Sequence, residues 1–183
     1  MRRFRVLLAV AFAFSLLLLG VGCYTTQYPL GAADKAAVDP AYIGDYVFTS
    51  DGKTTSLVIR NIDNHLYYTE WTGNDGKEPG RMVGYTADVS GVTFANLRNL
   101  TDDGSIEDKF LIMRISLSSD HAKLTIQNLK DDFFKDKNID SSDSLEKVIS
   151  GNLDNAQMYD GDPVVATRVV AASSKTVVSP PGM

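Results

Sequence analysis

From residue 41 to residue 172 the chain is a succession of short segments in which apolar and polar side chains alternate, separated by turn-forming residues. Val, Ile, Thr, Tyr and Phe dominate these segments, and period-two alternation of such residues predicts strands. The pattern places strands at 44–49, 56–62, 66–72, 81–88, 92–97, 109–116 and 123–129, with a last one at 164–171. Between them stand Asp51-Gly52, Asn74-Asp75-Gly76, Ser90-Gly91, Asp102-Asp103-Gly104 and Ser118-Ser119-Asp120. A parallel crossover takes about a dozen residues or more, so links this short make neighbouring strands antiparallel. The result is a meander.

Alternation also assigns faces. In 109–116, Phe110, Ile112 and Arg114 share one face while Leu111, Met113 and Ile115 share the other. Both faces are largely apolar, so something must cover the outer one. The one helical stretch is the natural cover: Leu145, Val148, Ile149 and Leu153 recur at spacings of three and four, an amphipathic stripe. Ser144 is its expected cap, Asp143 suits the positive end of the helix dipole, and Gly151 keeps it short.

The hydrophobic pattern before residue 41 is of another kind. Arg2, Arg3 and Arg5 precede an apolar run from Val6 to Val21 that only Ser15 and Gly20 interrupt. A basic start, an apolar stretch and small residues at its end make a secretory signal peptide over 1–22. The run is at or below the roughly 20 apolar residues of a membrane span. It ends in Leu19-Gly20-Val21-Gly22-Cys23, and Cys23 is the only cysteine. This resembles the lipobox of bacterial lipoproteins, with Gly20 where that family prefers Leu. The resemblance implies that Cys23 is diacylated and becomes the mature N-terminus. Buried lipid methylenes contribute about 0.8 kcal/mol each, so such chains hold a protein on a bilayer. Tyr24, rather than Asp, after the cysteine implies sorting to the outer membrane, with the domain facing the periplasm. The expected location is thus the bacterial cell envelope. Residues 23–40 read as a tether and 173–183 as a frayed tail.

Composition then narrows the function classes. The full chain has 18 basic against 23 acidic side chains. Removing 1–22 takes three Arg and no acid, leaving 15 against 23 and a net charge of −8. An acidic domain argues against nucleic acid as a partner. One Cys excludes a disulfide within the chain, and two His leave little for zinc.

Seven strands, a helix and a closing strand follow the order of a calycin-type barrel, and the resemblance to lipocalin-like proteins covers most of 42–172. Lipocalins carry Gly-x-Trp on the first strand, where this chain has Gly44-Asp45-Tyr46. They also carry a late Arg stacked across that ring, a place Arg168 would fill. Read without the resemblance, Gly44 merely starts a strand and Arg168 is a surface residue. The expected fold is mainly β: an antiparallel meander forming a lipocalin-like barrel or half-barrel with one short C-terminal helix.

Candidate chemistry is sparse. The acidic stretch 136–143 has the spacing of a calcium loop, but Ser141 and Lys147 stand where that loop needs Gly and Glu. No metal or cofactor is expected. His65 and His121 read as turn residues, no nucleophile elbow is present, and no catalytic residue is assigned. On one strand Tyr67 and Trp71 share a face opposite to Tyr68, and Asp131-Asp132-Phe133-Phe134 follows a strand as a lip or a pair of core anchors. Tyr46, Tyr67, Trp71, Phe133 and Arg168 are therefore the candidate ligand-binding residues, and Cys23 the lipid attachment site. Two functions fit: a membrane-anchored lipoprotein that takes a small apolar or amphipathic molecule, or a structural lipoprotein with a side-chain-filled barrel that docks an envelope partner. A cavity of several hundred cubic ångströms, the scale of ligand pockets, would favour the first. An enzyme is not expected.

Overall fold

The computed structural model describes residues 23–50, 52–74 and 78–169. The leader 1–22, the tail 173–183, and the turn residues Asp51, Asp75 and Gly76 lie outside the described residues. The strands are β1 (Thr25–Thr26), β2 (Gly44–Ser50), β3 (Lys53–Asn61), β4 (Tyr67–Gly73), β5 (Gly80–Val89), β6 (Val92–Asn99), β7 (Phe110–Leu117), β8 (Lys123–Leu129) and β9 (Tyr159–Arg168). Two helices, α1 (Asp131–Phe134) and α2 (Ser142–Ser150), lie between β8 and β9. Strands β2 to β9 pair antiparallel in chain order, and β9 returns to β2. The barrel is therefore closed, with eight strands, consistent with a lipocalin-like barrel. The expected meander is the observed one, and closure decides between barrel and half-barrel.

Side-chain alternation sorts the apolar residues into two cores. The inner one fills the barrel with Tyr46, Leu57, Ile59, Tyr67, Leu97, Met113, Leu124 and Ile126. The outer one lies on the far side of the wall and joins Phe94 and Ile112 to Leu145, Ile149 and Phe134 of the helices. Strand β7 feeds both, Leu111, Met113 and Ile115 inward and Phe110 and Ile112 outward. The helix expected to cover this wall does so. Its cap is Ser141 rather than Ser144: the two serines bond each other's backbone reciprocally, and Ser144 is the third helical residue. Leu153 lies beyond the last turn, and α1 is an addition to the single helix expected.

The segment read as a tether packs on the wall instead. β1 pairs with the start of β7, Cys23 bridges to Lys130, and the Tyr24 N–H donates to the Leu129 carbonyl at 3.0 Å. The N-terminal strand is thus wedged where β7 and β8 splay apart. Tyr24 stacks on Phe134 with ring centroids 4.1 Å apart. Leu30 is fully buried, and Asn96, also fully buried, accepts from its N–H at 2.7 Å and donates to its carbonyl at 3.2 Å. Burying a Leu side chain stabilises by about 1.5–3 kcal/mol. Two apolar side chains and one Asn, with the backbone pairing of β1, dock a segment whose average composition reads as linker.

Residues 40–42 plug one end, the base. Tyr67 inside the barrel accepts from the Asp39 N–H at 2.6 Å and donates to the Asp39 carbonyl at 3.2 Å. Arg168, at the end of β9, completes the plug. Its guanidinium sits 4.8 Å from the centre of the Tyr46 ring. It donates to the carbonyls of Ile43 and His121 at 2.6 and 2.9 Å, and to the Ala41 carbonyl and the Tyr46 hydroxyl. Gly44 makes room for it: a Cβ there would lie 2.6 Å from Nη1 of Arg168. The β2–β9 ladder itself holds only two residue pairs, Tyr46 with Arg168 and Val47 with Thr167.

Strand β9 begins at Tyr159, five residues before its expected start. Between Ile126 and Asn128 on β8 the pairing slips by a bulge, opposite Gly161 at φ +63°. Gly161 and Pro163 break the alternation that marks a strand, which hid this half of β9.

Arg168→Lys should lower the unfolding free energy by about 2–4 kcal/mol, because an ammonium cannot serve four acceptors in the fork geometry of a guanidinium. Urea denaturation followed by circular dichroism measures it. A loss under about 0.5 kcal/mol would mean that the fork does not hold the closure.

Candidate functional site

The end opposite the plug is where the barrel is loosest. Strands β2 and β9 pair only near the base, so Phe48 and Ser50 on one and Asp162 and Val164 on the other face a common space. This mouth has a volume of about 310 Å3. Its apolar side is Phe48, Trp71, Met82 and Leu111, and its polar side Asn128, Asp160 and Asp162, with exposed Cys23 on the rim. Trp71, Met113 and Ile126 line both the mouth and a smaller cavity of about 50 Å3 deeper in the barrel. The two spaces are neighbours across these side chains.

The deep cavity is walled mainly by aliphatic and aromatic side chains, Leu57, Ile59, Tyr67, Leu97, Met113 and Ile126 among them. The surface it presents is wholly apolar. The Thr69 hydroxyl and the Trp71 indole nitrogen are buried with no hydrogen-bond partner. Thr69 is only 5% exposed. Both residues sit at inward positions of β4, two apart, since side chains of a strand alternate. An unpaired buried donor costs about 1–3 kcal/mol, a local cost that the fold carries on β4. Phe48 meets Trp71 edge to face, centroids 6.0 Å apart, holding the indole at the mouth.

The five candidates from the sequence divide three ways. Tyr67 and Trp71 line the interior, as the alternation implied, while Tyr68 points out and donates to Glu70 at 2.6 Å. Tyr46 and Arg168 do come together, but at the plugged end, where they bond to each other and to backbone carbonyls. Burial raises the Tyr46 phenol above its ordinary range and the charge of Arg168 pulls it back, a pairing with the marks of a structural lock. Phe133 is outside the barrel: it lies edge-on to Phe134 at 5.1 Å, under the Lys137 ammonium, in the outer core. It is a core anchor, because the end of β8 turns the chain away from the mouth into α1. Thr69, Asn128, Asp160 and Asp162 were not singled out by sequence. Thr69 shares the period-two signal of Tyr67 and Trp71; the aspartates sit in the irregular half of β9.

The remaining titratable groups serve the fold. His65 contacts the Ala36 carbonyl through Nδ1 at 2.5 Å, and His121 adopts a left-handed turn at φ 55°. The 136–143 stretch forms the entry of α2, the Asp140 and Ser141 N–H groups donating to Ser144 Oγ, each at 3.0 Å. Burial, and then the charge of Asp160, push the Cys23 thiol up, which disfavours the thiolate that reactive cysteines need. Compared with known proteins, the chain matches no family model, no curated protein and no solved structure. The geometry of the barrel therefore carries the functional reading.

Replacing Thr69 with Val removes an unpartnered hydroxyl at nearly constant volume. The empty barrel should gain about 1 kcal/mol in urea denaturation. A loss of more than 1 kcal/mol would show that the hydroxyl is already satisfied.

Proposed function

We propose that this chain is a lipid-anchored protein of the bacterial cell envelope whose barrel takes the apolar chain of a small amphiphile. The observation that carries the reading is the apolar cavity inside the barrel beside the mouth, with Trp71, Met113 and Ile126 lining both. The mouth alone, at about 310 Å3, reaches the lower bound of about 300 Å3 for ligand pockets. Half-buried Phe48, Trp71, Met82 and Leu111 supply the apolar contact.

Anchoring rests on the basic start, the apolar run 6–21 and the Gly22-Cys23 junction. The position of Cys23 suits it. The side chain is exposed on the mouth rim, so acylation there disturbs no core. It also sets the open end of the barrel towards the bilayer, from which an amphiphile can enter without crossing water. Outer-membrane sorting, with the barrel in the periplasm, is part of the same proposal.

One observation favours a second reading, a structural lipoprotein that docks an envelope partner. The deep interior holds only about 50 Å3, so side chains fill most of it.

Two experiments follow. Cys23→Ser should move the protein from the membrane pellet to the soluble fraction, and a protein still pelleting would remove the anchoring claim. Ala95→Val adds two methyl groups to the lining of the deep cavity. It should weaken binding of a monoacylglycerol about tenfold by calorimetry, the equivalent of displacing two methylenes at about 0.8 kcal/mol each. Unchanged affinity would mean that the chain does not enter the barrel.

A further inference from the structure

The attachment point of the proposed anchor is fixed in the wall of the mouth, with no linker between the two. Cys23 lines that space together with Phe48, Trp71, Met82 and Leu111. Its backbone bridges to Lys130, and the next residue is held twice: the Tyr24 N–H donates to the Leu129 carbonyl at 3.0 Å, and the ring stacks on Phe134 with centroids 4.1 Å apart. β1 then pairs with the start of β7. The sulfur lies close enough to Asp160, another mouth residue, to feel its charge. Cys23 is exposed, which leaves that sulfur free to carry a substituent. An alkyl chain on it begins at the mouth, beside the apolar flank, and the deep cavity follows across Trp71, Met113 and Ile126.

We infer that one acyl chain of the protein's own anchor occupies the mouth when the barrel is empty, and that an incoming amphiphile displaces it into the bilayer. This rests on the proposed acylation of Cys23 and the proposed use of the barrel for an apolar chain. With the attachment point in the cavity wall, entry is intramolecular, and tethering this short gives effective concentrations of about millimolar. A methylene gains about as much in an apolar cavity as in a hydrocarbon core, so the chain itself is near balance between the two. What tips the balance is the mouth: Phe48, Trp71, Met82 and Leu111 are only half-buried, and the entering chain takes their exposed surface out of water. The second chain of the diacyl group stays in the bilayer. Cargo and anchor chain exclude one another, so a loaded barrel has both chains in the membrane and an empty one has a single chain there. Two chains hold a protein far more firmly than one, and loading therefore tightens the attachment.

Trp71 is the only tryptophan of the chain and lines the mouth, so its fluorescence reports what lies there. The full chain is expressed in bacteria fed a chain-brominated fatty acid, purified, and moved to nanodiscs of unlabelled phosphatidylcholine, where the anchor alone carries bromine. Intact mass spectrometry should show the brominated acyl groups; their absence would overturn the anchoring reading, and self-occupancy with it. Trp71 should lose at least about half of its emission relative to the unbrominated chain, since the anchor chain is at balance or better in the mouth. Unlabelled monoacylglycerol should restore the emission. The unbrominated chain in nanodiscs of chain-brominated phosphatidylcholine should keep nearly all of it. Bilayer bromines that quench as strongly as those of the anchor would place Trp71 beside the membrane and overturn the inference. Quenching that monoacylglycerol does not relieve would overturn the displacement. A brominated anchor that leaves Trp71 bright, while chain-brominated monoacylglycerol quenches it, would overturn self-occupancy and leave amphiphile binding standing. Quenching by neither would overturn chain binding itself, and self-occupancy with it.

Discussion

The Arg168 guanidinium reinforces the short seam where the two ends of the sheet meet. Where β9 meets β2 the ladder offers two residue pairs, with the Val169 N–H donating to the Asp45 carbonyl at 2.7 Å beside them, a short seam for a closed barrel. Arg168 makes up the deficit by stacking on Tyr46 and donating to four acceptors drawn from the plug, from β2 and from the β7–β8 turn. Charge-assisted bonds of this kind are roughly twice as strong as neutral ones, and a planar fork loses little freedom in making several at once. Gly44 is the steric condition for it. Because closure is concentrated at the base, the opposite end of the same seam is free to splay, and the mouth is the consequence.

The wall of the barrel separates two apolar cores. Strands β5 to β7 are apolar on both faces, inward to the cavity and outward to the helices and the N-terminal segment, and Leu129 and Tyr159 extend the outer core to β8 and β9. The face of β2 to β4 away from the barrel is largely polar, with Arg60 paired to Asp45 at 2.6 Å. Asn96 is the hinge between the layers, a fully buried amide spent on the backbone of Leu30. The same N-terminal segment runs from the mouth rim at Cys23 to the plug at Pro40. One continuous stretch of chain therefore joins the proposed membrane attachment to the closed base.

What the sequence made legible was whatever repeats locally. Period-two alternation located all eight barrel strands, and for 123–129 it reached both ends of β8. It also placed Tyr67 and Trp71 inside, and the stripe of Leu145 and Ile149 on the covered wall. Pairings across the fold were readable only through resemblance. The Tyr46–Arg168 contact spans 122 residues and was anticipated as a stack, yet its place at the closed end removes both residues from the mouth. What stayed hidden had no periodic signature. Tyr24 and Leu30 are isolated apolar residues in a polar context, and their burial depends on Phe134 and Asn96 far along the chain. Asp160 and Asp162 are aligned by a bulge that looks like loop sequence. Phe133 sits next to the end of a strand in sequence, but α1 carries it to the outer surface.

The central claim is that the barrel holds an amphiphile in the cell. Native mass spectrometry of the chain isolated from its own membranes, with detergent removed in the gas phase, tests this most directly. The account expects the acylated chain plus the mass of one single-chain amphiphile, retained at collision energies that strip detergent. The mass of the acylated chain alone, across preparations in different detergents, would contradict it.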